Sequence, residues 1–258
     1  MAKKSHHLIV VKIGSSTLTN PQGKLDVGNL KRIAAETAAL VRQKKQAVIV
    51  TSGAIVSGSE RLGLGKPKSI PQKQAAAAVG QSLLMRQYEK AFEEYNIPVA
   101  QVLLTRDVIT NRKRSLNARN CLLTLLAEGV VPIVNENDAV AIDEIKIGDN
   151  DTLAALTASL IGADLLVLLT DIDGFYMKTV EGVSSLVPEI NEITPEVKDA
   201  AGHPSTQLGT GGMITKIQAA EICGNAGIRM AIVNGRKAGL IAALVAGEKV
   251  GTIFQPKV

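Results

Sequence analysis

Short apolar runs without polar alternation take turns with helix-period segments along the first half of the chain. Leu8–Ile13 precedes a helical segment Asn29–Lys44, Ala47–Thr51 precedes Ala54–Leu62, Val99–Thr105 precedes Ser115–Glu128, and Val130–Asn135 follows. Runs of Val, Ile and Leu of this kind mark strands buried on both faces, so the βαβα order predicts a mostly parallel sheet covered by helices. Ser115 is placed to cap the third helix and Gly129 to end it, with Leu116, Leu122, Leu123 and Leu126 on its buried face.

After Asn135 the pattern loosens. Val140–Ile147 alternates weakly, as a strand or hairpin, and runs into Gly148-Asp149-Asn150-Asp151, where a helix starts. Regular order then returns with helix Thr152–Ile161 closed by Gly162, strand Leu165–Thr170, helix Gly212–Asn225, strand Arg229–Val233 and a short helix Leu240–Ala246. Gly182–Ser205, which contains Pro188 and Pro195, is the least regular stretch and reads as an excursion covering the site. No internal repeat or low-complexity linker divides the chain. The expected architecture is therefore α/β, a three-layer αβα sandwich around a largely parallel central sheet, built as one two-lobed domain over 1–258.

Composition narrows the function. The 258 residues are 46% hydrophobic, enough for a substantial core. The net charge of +5 comes from 29 basic and 24 acidic residues spread without long runs, which suits anionic small molecules at least as well as a polymer. Aromatics make up 2% and tryptophan is absent, so stacking platforms for bases are scarce and no nucleic-acid partner is expected. Lys44-Lys45 reads as a solvated face; Arg112-Lys113-Arg114 follows a Thr-Asn turn and is better placed to meet an anion. Cys121 and Cys223 have apolar neighbours and no metal-ligand spacing, and are expected as core thiols in a reducing compartment. Lys12 interrupts the first apolar run, and nowhere do about 18 apolar residues follow one another, so a cytoplasmic protein without a membrane partner is expected.

Strand ends in an open parallel sheet face the ligand crevice, and several turns there are unusual. Lys12 lies inside an apolar strand and is followed by Gly14-Ser15-Ser16; such a lysine either emerges into a cleft to meet a phosphate or, less favoured, reaches solvent from an edge strand. Thr51-Ser52-Gly53 opens a helix in the same way. Asn135-Glu136-Asn137-Asp138 and Gly148-Asp149-Asn150-Asp151 put carboxamides and carboxylates at two further turns, where they suit an ammonium-bearing substrate better than mere turn chemistry. Asp171 and Asp173, after the strand Leu165–Thr170, are placed to touch a nucleotide or Mg²⁺, or to cap their turn. Gly209-Thr210-Gly211-Gly212-Met213-Ile214-Thr215-Lys216 is a glycine loop opening a helix with a lysine in its first turns, a phosphate cradle. Lysines from both ends of the chain, with no histidine or cysteine base, fit phosphoryl transfer, in which positioning and charge neutralisation carry most of the catalysis. A carboxylate acceptor would need no general base, because it is already an anion at neutral pH.

With those residues named, the chain resembles the amino acid kinase family over essentially its whole length. The broad signals are Val11–Ser16, Thr51–Ile55 and Thr210–Lys216; Leu104-Thr105-Arg106, Asn117-Ala118-Arg119, Asn135–Asp138 and Ile145–Asp151 resemble the branch that phosphorylates the γ-carboxylate of L-glutamate with ATP, the first step of proline biosynthesis. The resemblance implies that Lys12 and Lys216 stabilise the phosphoryl group in flight and that Asp151 orients them. It implies glutamate contacts at Ser52, Asp138 and Asn150, and ATP contacts at Lys12, Thr170, Asp171, Thr210, Gly211, Gly212, Met213, Ile214, Thr215 and Lys216. It further implies Mg²⁺ accompanying ATP without an all-protein metal cage, feedback inhibition by proline, a dimer or tetramer, and lobes of about 1–165 for glutamate and 166–258 for ATP. Many bacterial members continue into a C-terminal PUA domain, whereas this sequence stops at Val258, so a short form is expected. Family members acting on N-acetylglutamate, aspartate or UMP, and a non-catalytic sensor on the same scaffold, are the competing expectations.

Overall fold

A computed structural model describes residues 6–105, 108, 111–140, 150–178, 182–202 and 212–257. The strands are β1 (Leu8–Ile13), β2 (Gln46–Val50), β3 (Val99–Leu104), β4 (Val131–Glu136), β5 (Leu165–Thr170), β6 (Tyr176–Lys178), β7 (Ser184–Leu186), β8 (Glu189–Ile190), β9 (Arg229–Asn234) and β10 (Thr252–Phe254). The helices are α1 (Ser15–Leu18), α2 (Val27–Arg42), α3 (Ala54–Leu62), α4 (Ile70–Glu93), α5 (Arg112–Ala127), α6 (Asp151–Ile161), α7 (Pro195–Gly202), α8 (Gly212–Asn225) and α9 (Leu240–Val245).

Eight strands form one sheet in the order β3-β4-β2-β1-β5-β9-β10-β8. All neighbours are parallel except β9 and β10. β1 is a switch point, since the chain passes first to β2 on one side and later to β5 on the other. Alternation along β1 divides the core. Ile9, Val11 and Ile13 pack with the α2, α4 and α9 layer, whereas Leu8 and Val10 pack with the α5, α6 and α8 layer. Lys12 shares the phase of Leu8 and Val10, which turns it toward α6 and α8. The three-layer expectation holds, and no helix among the described residues is long and apolar enough to cross a membrane.

Several local expectations are corrected. α5 begins at Arg112, with Asn111 accepting from the Arg114 backbone N–H, so Ser115 lies inside the helix. Leu122 and Leu126, four residues apart, share the buried face, whereas Leu116 lies about 120° round the helix from Leu122 and is 54% exposed. Arg112, Lys113 and Arg114 are exposed in that first turn. Cys223 is buried, with burial pushing its thiol up to about 12, but Cys121 is exposed on α5. The described part of Gly182–Ser205 is more regular than expected. It supplies β7, adds β8 to the far sheet edge beside β10, and in α7 buries Val197 and Ala201 in the core. The expected strand or hairpin over Val140–Ile147 lies largely outside the described residues.

Candidate active site

The C-terminal ends of β1, β2, β4 and β5 converge on a buried carboxylate. Asp151 is the first residue of α6, where the free N–H groups and dipole of the helix favour a negative charge. One of its oxygens lies 2.5 Å from Lys12 Nζ and the other 3.0 Å from Lys216 Nζ. Lys12 is 4% exposed and Asp151 fully buried. A buried charge of this kind is costly unless paired and hydrogen-bonded, and Asp151 pairs with both lysines at once. The Thr215 hydroxyl also donates to Asp151 at 3.1 Å, while Lys216 Nζ reaches the Gly212 carbonyl at 3.3 Å. Two ammonium groups from opposite ends of the chain are thus held side by side.

The turns beside this clamp are tied to one another. Gly14 N–H donates to the Leu169 carbonyl at 3.0 Å. Thr170, at the end of β5, is buried; its hydroxyl donates to Asp171 at 3.1 Å and its carbonyl accepts from Gly235 N–H. Asp173 is occupied with structure, pairing with Lys237 at 2.8 Å and accepting from Asn234, contacts that hold its carboxyl below the usual range. Of the two acidic candidates in this turn, Asp173 is engaged by Lys237 and Asn234, whereas Asp171 accepts from the Thr170 hydroxyl. Gly212 opens α8 with φ of +57°, Met213 packs against the core, and Ile214 is half exposed. Thr210 and Gly211 lie outside the described residues, as does Arg106.

On the other side of Asp151 is a chain of carboxamides. Asn150 donates from Nδ2 to the Thr51 carbonyl at 2.6 Å, to Asn135 Oδ1 at 2.9 Å and to Ser52 Oγ at 3.3 Å. Asn135 in turn donates to Gln81 Oε1 at 2.9 Å. Gly53, in a left-handed conformation at φ of +101°, starts α3 directly after Ser52 and turns the chain where a side chain would strain it. A cleft of about 210 Å³ adjoins this chain, lined by Gln81, Gln101, Glu136 and Asp138 among others. Burial, and then the charge of Glu136, push the Asp138 carboxyl up to about 6. Neighbouring residues Asn150 and Asp151 therefore join the two halves, one touching Thr51, Ser52 and Asn135 and the other the lysines.

Lys12, Asp151, Lys216 and Thr215 come together in contact, as do Ser52 and Asn150; Asp138 lines the adjoining cleft, and Thr170 and Asp171 stand at the end of β5, next to β1. Sequence reasoning missed Gln81 and Tyr88, because it missed α4 entirely. The start signal is present in the chain: Ser69 and Gln72 form a reciprocal capping box, with Pro71 in the first turn.

The amino acid kinase family model matches residues 7–234. A protein of Moorella thermoacetica named glutamate 5-kinase is 52% identical over 96% of this chain and 67% of its own length. A second glutamate 5-kinase, of Clostridium acetobutylicum, is 50% identical over 96% of this chain and 94% of its own length. Two solved structures share the fold at low identity. They are a carbamate kinase of Giardia lamblia bound to AMP-PNP (TM-score 0.70, 17% identity, 98% of this chain and 99% of that one) and a UMP kinase of Bacillus anthracis (0.63, 14%, 99% and 98%). Sequence, fold and clamp agree, and the chain belongs to the amino acid kinase family.

Proposed function

We propose that the chain transfers the γ-phosphoryl group of ATP to the side-chain carboxylate of L-glutamate, giving L-glutamyl 5-phosphate, the first step of proline biosynthesis. The observation that carries this reading is Asp151, gripping Lys12 and Lys216 beside a carboxamide-lined cleft that holds Asp138. Identity near 50% to the two glutamate 5-kinases across nearly the whole chain supports the choice of glutamate.

A γ-carboxylate oxygen attacks the γ-phosphorus, the bond to the β,γ-bridging oxygen breaks, and ADP departs with the bonding electrons. No proton moves, so the step calls for no general base. The lysines neutralise the equatorial phosphoryl oxygens and lower the repulsion between acceptor and phosphate, an effect strengthened where water is excluded. Asp151 fixes the spacing of the ammonium groups beforehand, so little reorganisation accompanies the reaction. Ser52, Asn150 and Asp138 hold glutamate on the β2 and β4 side, within 1–165. Thr170, Asp171 and the Thr210–Lys216 segment hold ATP on the β5 and α8 side, within 166–258.

Among the described residues no cluster of three or more His, Cys, Asp or Glu could hold a metal ion. Mg²⁺ accompanying the ATP would shield the charge of its phosphates. Proline feedback, a homo-oligomer and a cytoplasmic location complete the reading.

The test is an ATP-consumption assay offering L-glutamate, L-aspartate, N-acetylglutamate and UMP in parallel, with hydroxylamine to trap an acyl phosphate. We expect ATP use to depend on L-glutamate and to yield the γ-hydroxamate. Turnover with aspartate, N-acetylglutamate or UMP but not glutamate overturns the assignment, and nucleotide binding without turnover favours a sensor.

A further inference from the structure

Backbone atoms fix the direction of every amide in the carboxamide chain. The Thr51 carbonyl can only accept, so the Asn150 atom 2.6 Å from it is the nitrogen. The Glu136 backbone N–H can only donate, so the Asn135 atom it meets at 2.9 Å is the oxygen. Asn135 must then present its nitrogen to Gln81, which answers with its oxygen at 2.9 Å. The Gln81 nitrogen is left over. Gln81 is 8% exposed and lines the cleft, and its Nε2 has no partner among the described residues. Asn150 Oδ1 and Glu136 Oε2 are buried in the same condition, but as acceptors.

A buried donor left unpaired is unfavourable, and native structures rarely keep one without a use. Here an orphaned donor shares a cleft with acceptors of the opposite kind, Glu136 and Asp138. That polarity matches the α-carbon end of a free amino acid, a carboxylate next to an ammonium. Building on the glutamate-kinase reading, we propose that Gln81 is a specificity-determining residue that donates from Nε2 to the α-carboxylate of the substrate, while Glu136 and Asp138 accept from its α-ammonium. Gln81 also caps the amide chain, so the same side chain that reads the α-carboxylate holds Asn135 and, through it, Asn150. Recognition of the amino-acid end is thereby coupled to the turn that leads into Asp151.

Gln81→Glu, assayed well above the pH at which the buried carboxyls of this cleft ionise, tests this with little change of shape, because a carboxylate oxygen still accepts from Asn135 but nothing at that position donates. The substrates are L-glutamate and L-isoglutamine, its α-carboxamide, both with a free γ-carboxylate. The expected result is a fall of about 10–100-fold in kcat/KM for L-glutamate, carried mainly by KM, with L-isoglutamine reduced much less or improved, since its amide can donate to the new carboxylate. An equal loss on both substrates, or no change on either, overturns the proposal and makes Gln81 a structural residue. Should the variant unfold in a thermal melt, Gln81→Met carries the test. A raised glutamate KM at unchanged kcat supports the contact, and an unchanged KM overturns it. A wild-type protein that neither binds L-glutamate by calorimetry nor phosphorylates it overturns the functional reading and this inference with it. A wild type active on glutamate whose Gln81→Glu variant keeps its substrate ratio overturns the inference alone.

Discussion

The lysine clamp and the carboxamide chain lie side by side against one sheet, yet they are held by different means. In the clamp, Asp151 binds Lys12 at 2.5 Å and Lys216 at 3.0 Å, full charges whose attraction is strong over distance and tolerant of direction. In the chain, Gln81, Asn135 and Asn150 are neutral, and each bond between them forms only if donor faces acceptor. The clamp suits a phosphoryl group whose charge changes during reaction; the chain suits a substrate that must be identified. In the proposed reaction the neutral half would position the substrate and the ionic half would stabilise charge. Changes in each should separate in kinetics.

The largest effect is expected in the clamp. Lys216→Ala removes one of the two ammonium groups and should lower kcat by about 10²–10³-fold, with glutamate binding measured by calorimetry nearly unchanged. An unaltered kcat would take Lys216 out of the chemistry and break the division between the halves.

Next is the support under the carboxamide half. α3 and α4 touch through glycines: a Cβ on Gly80 would lie 1.8 Å from the Ala54 carbonyl oxygen, and one on Gly58 would lie 1.7 Å from that of Ala76. Gly80→Ala must force the helices apart, costing about 3 kcal/mol and lowering Tm by about 6–12 °C in a chain of this size. Because Gln81 is the next residue, the glutamate KM should rise in the folded variant while the ATP KM stays put. A shift in the ATP KM alone would show that α4 serves the other half.

These two regions were also unequally legible in the sequence. Lys12 stands out because a lysine in an apolar strand needs a reason, and Lys216 because it follows a glycine loop; the β1 and α8 positions read from pattern alone were correct. The central strands were legible for the same reason, as unbroken Val, Ile and Leu runs. α4 was not, since Ala75–Ala78 and Gly80 carry little amphipathic contrast and its packing depends on what is missing from the side chains. Gln81 and Tyr88 could not be recognised without it. β8 and β10 are two and three residues long and exist through pairing with distant strands, which no local pattern records. Asp138 was legible as part of a polar turn, but its raised pKa depends on burial that only the folded chain creates.

That pKa supplies the third prediction. Burial, and then the charge of Glu136, push the Asp138 carboxyl from its ordinary 3.8 up to about 6. Folding thus favours the protonated form, and this contribution to stability is lost as pH rises through about 6. Binding an ammonium has the opposite sign, since only the carboxylate attracts it. The kcat/KM for L-glutamate should therefore fall as pH drops through about 6, a limb that the substrate's own γ-carboxyl, near 4.3, does not produce. Asp138→Asn should raise the glutamate KM about tenfold at neutral pH and erase that limb. If the limb survives in the variant, the titrating group is elsewhere.

The smallest expected effect tests whether the scaffold behind the amides can be separated from the amides themselves. Tyr88, fully buried on α4, lies 2.6 Å from Thr51 Oγ1, and burial raises its phenol so that it stays protonated. Thr51 spends its own hydroxyl proton on the Ser52 carbonyl at 3.1 Å, so Tyr88 is the donor between them. This bond braces the turn whose Thr51 carbonyl receives Asn150. Tyr88→Phe keeps the ring and its packing and removes one neutral hydrogen bond, a loss of about 1 kcal/mol in denaturant unfolding. With the ring still wedged between α4 and β2, Asn150 should hold its place, leaving kcat unchanged and the glutamate KM raised by no more than about threefold. A large fall in kcat at unaltered stability would instead mean that the brace transmits to Asp151, and that the neutral and ionic halves act as one unit.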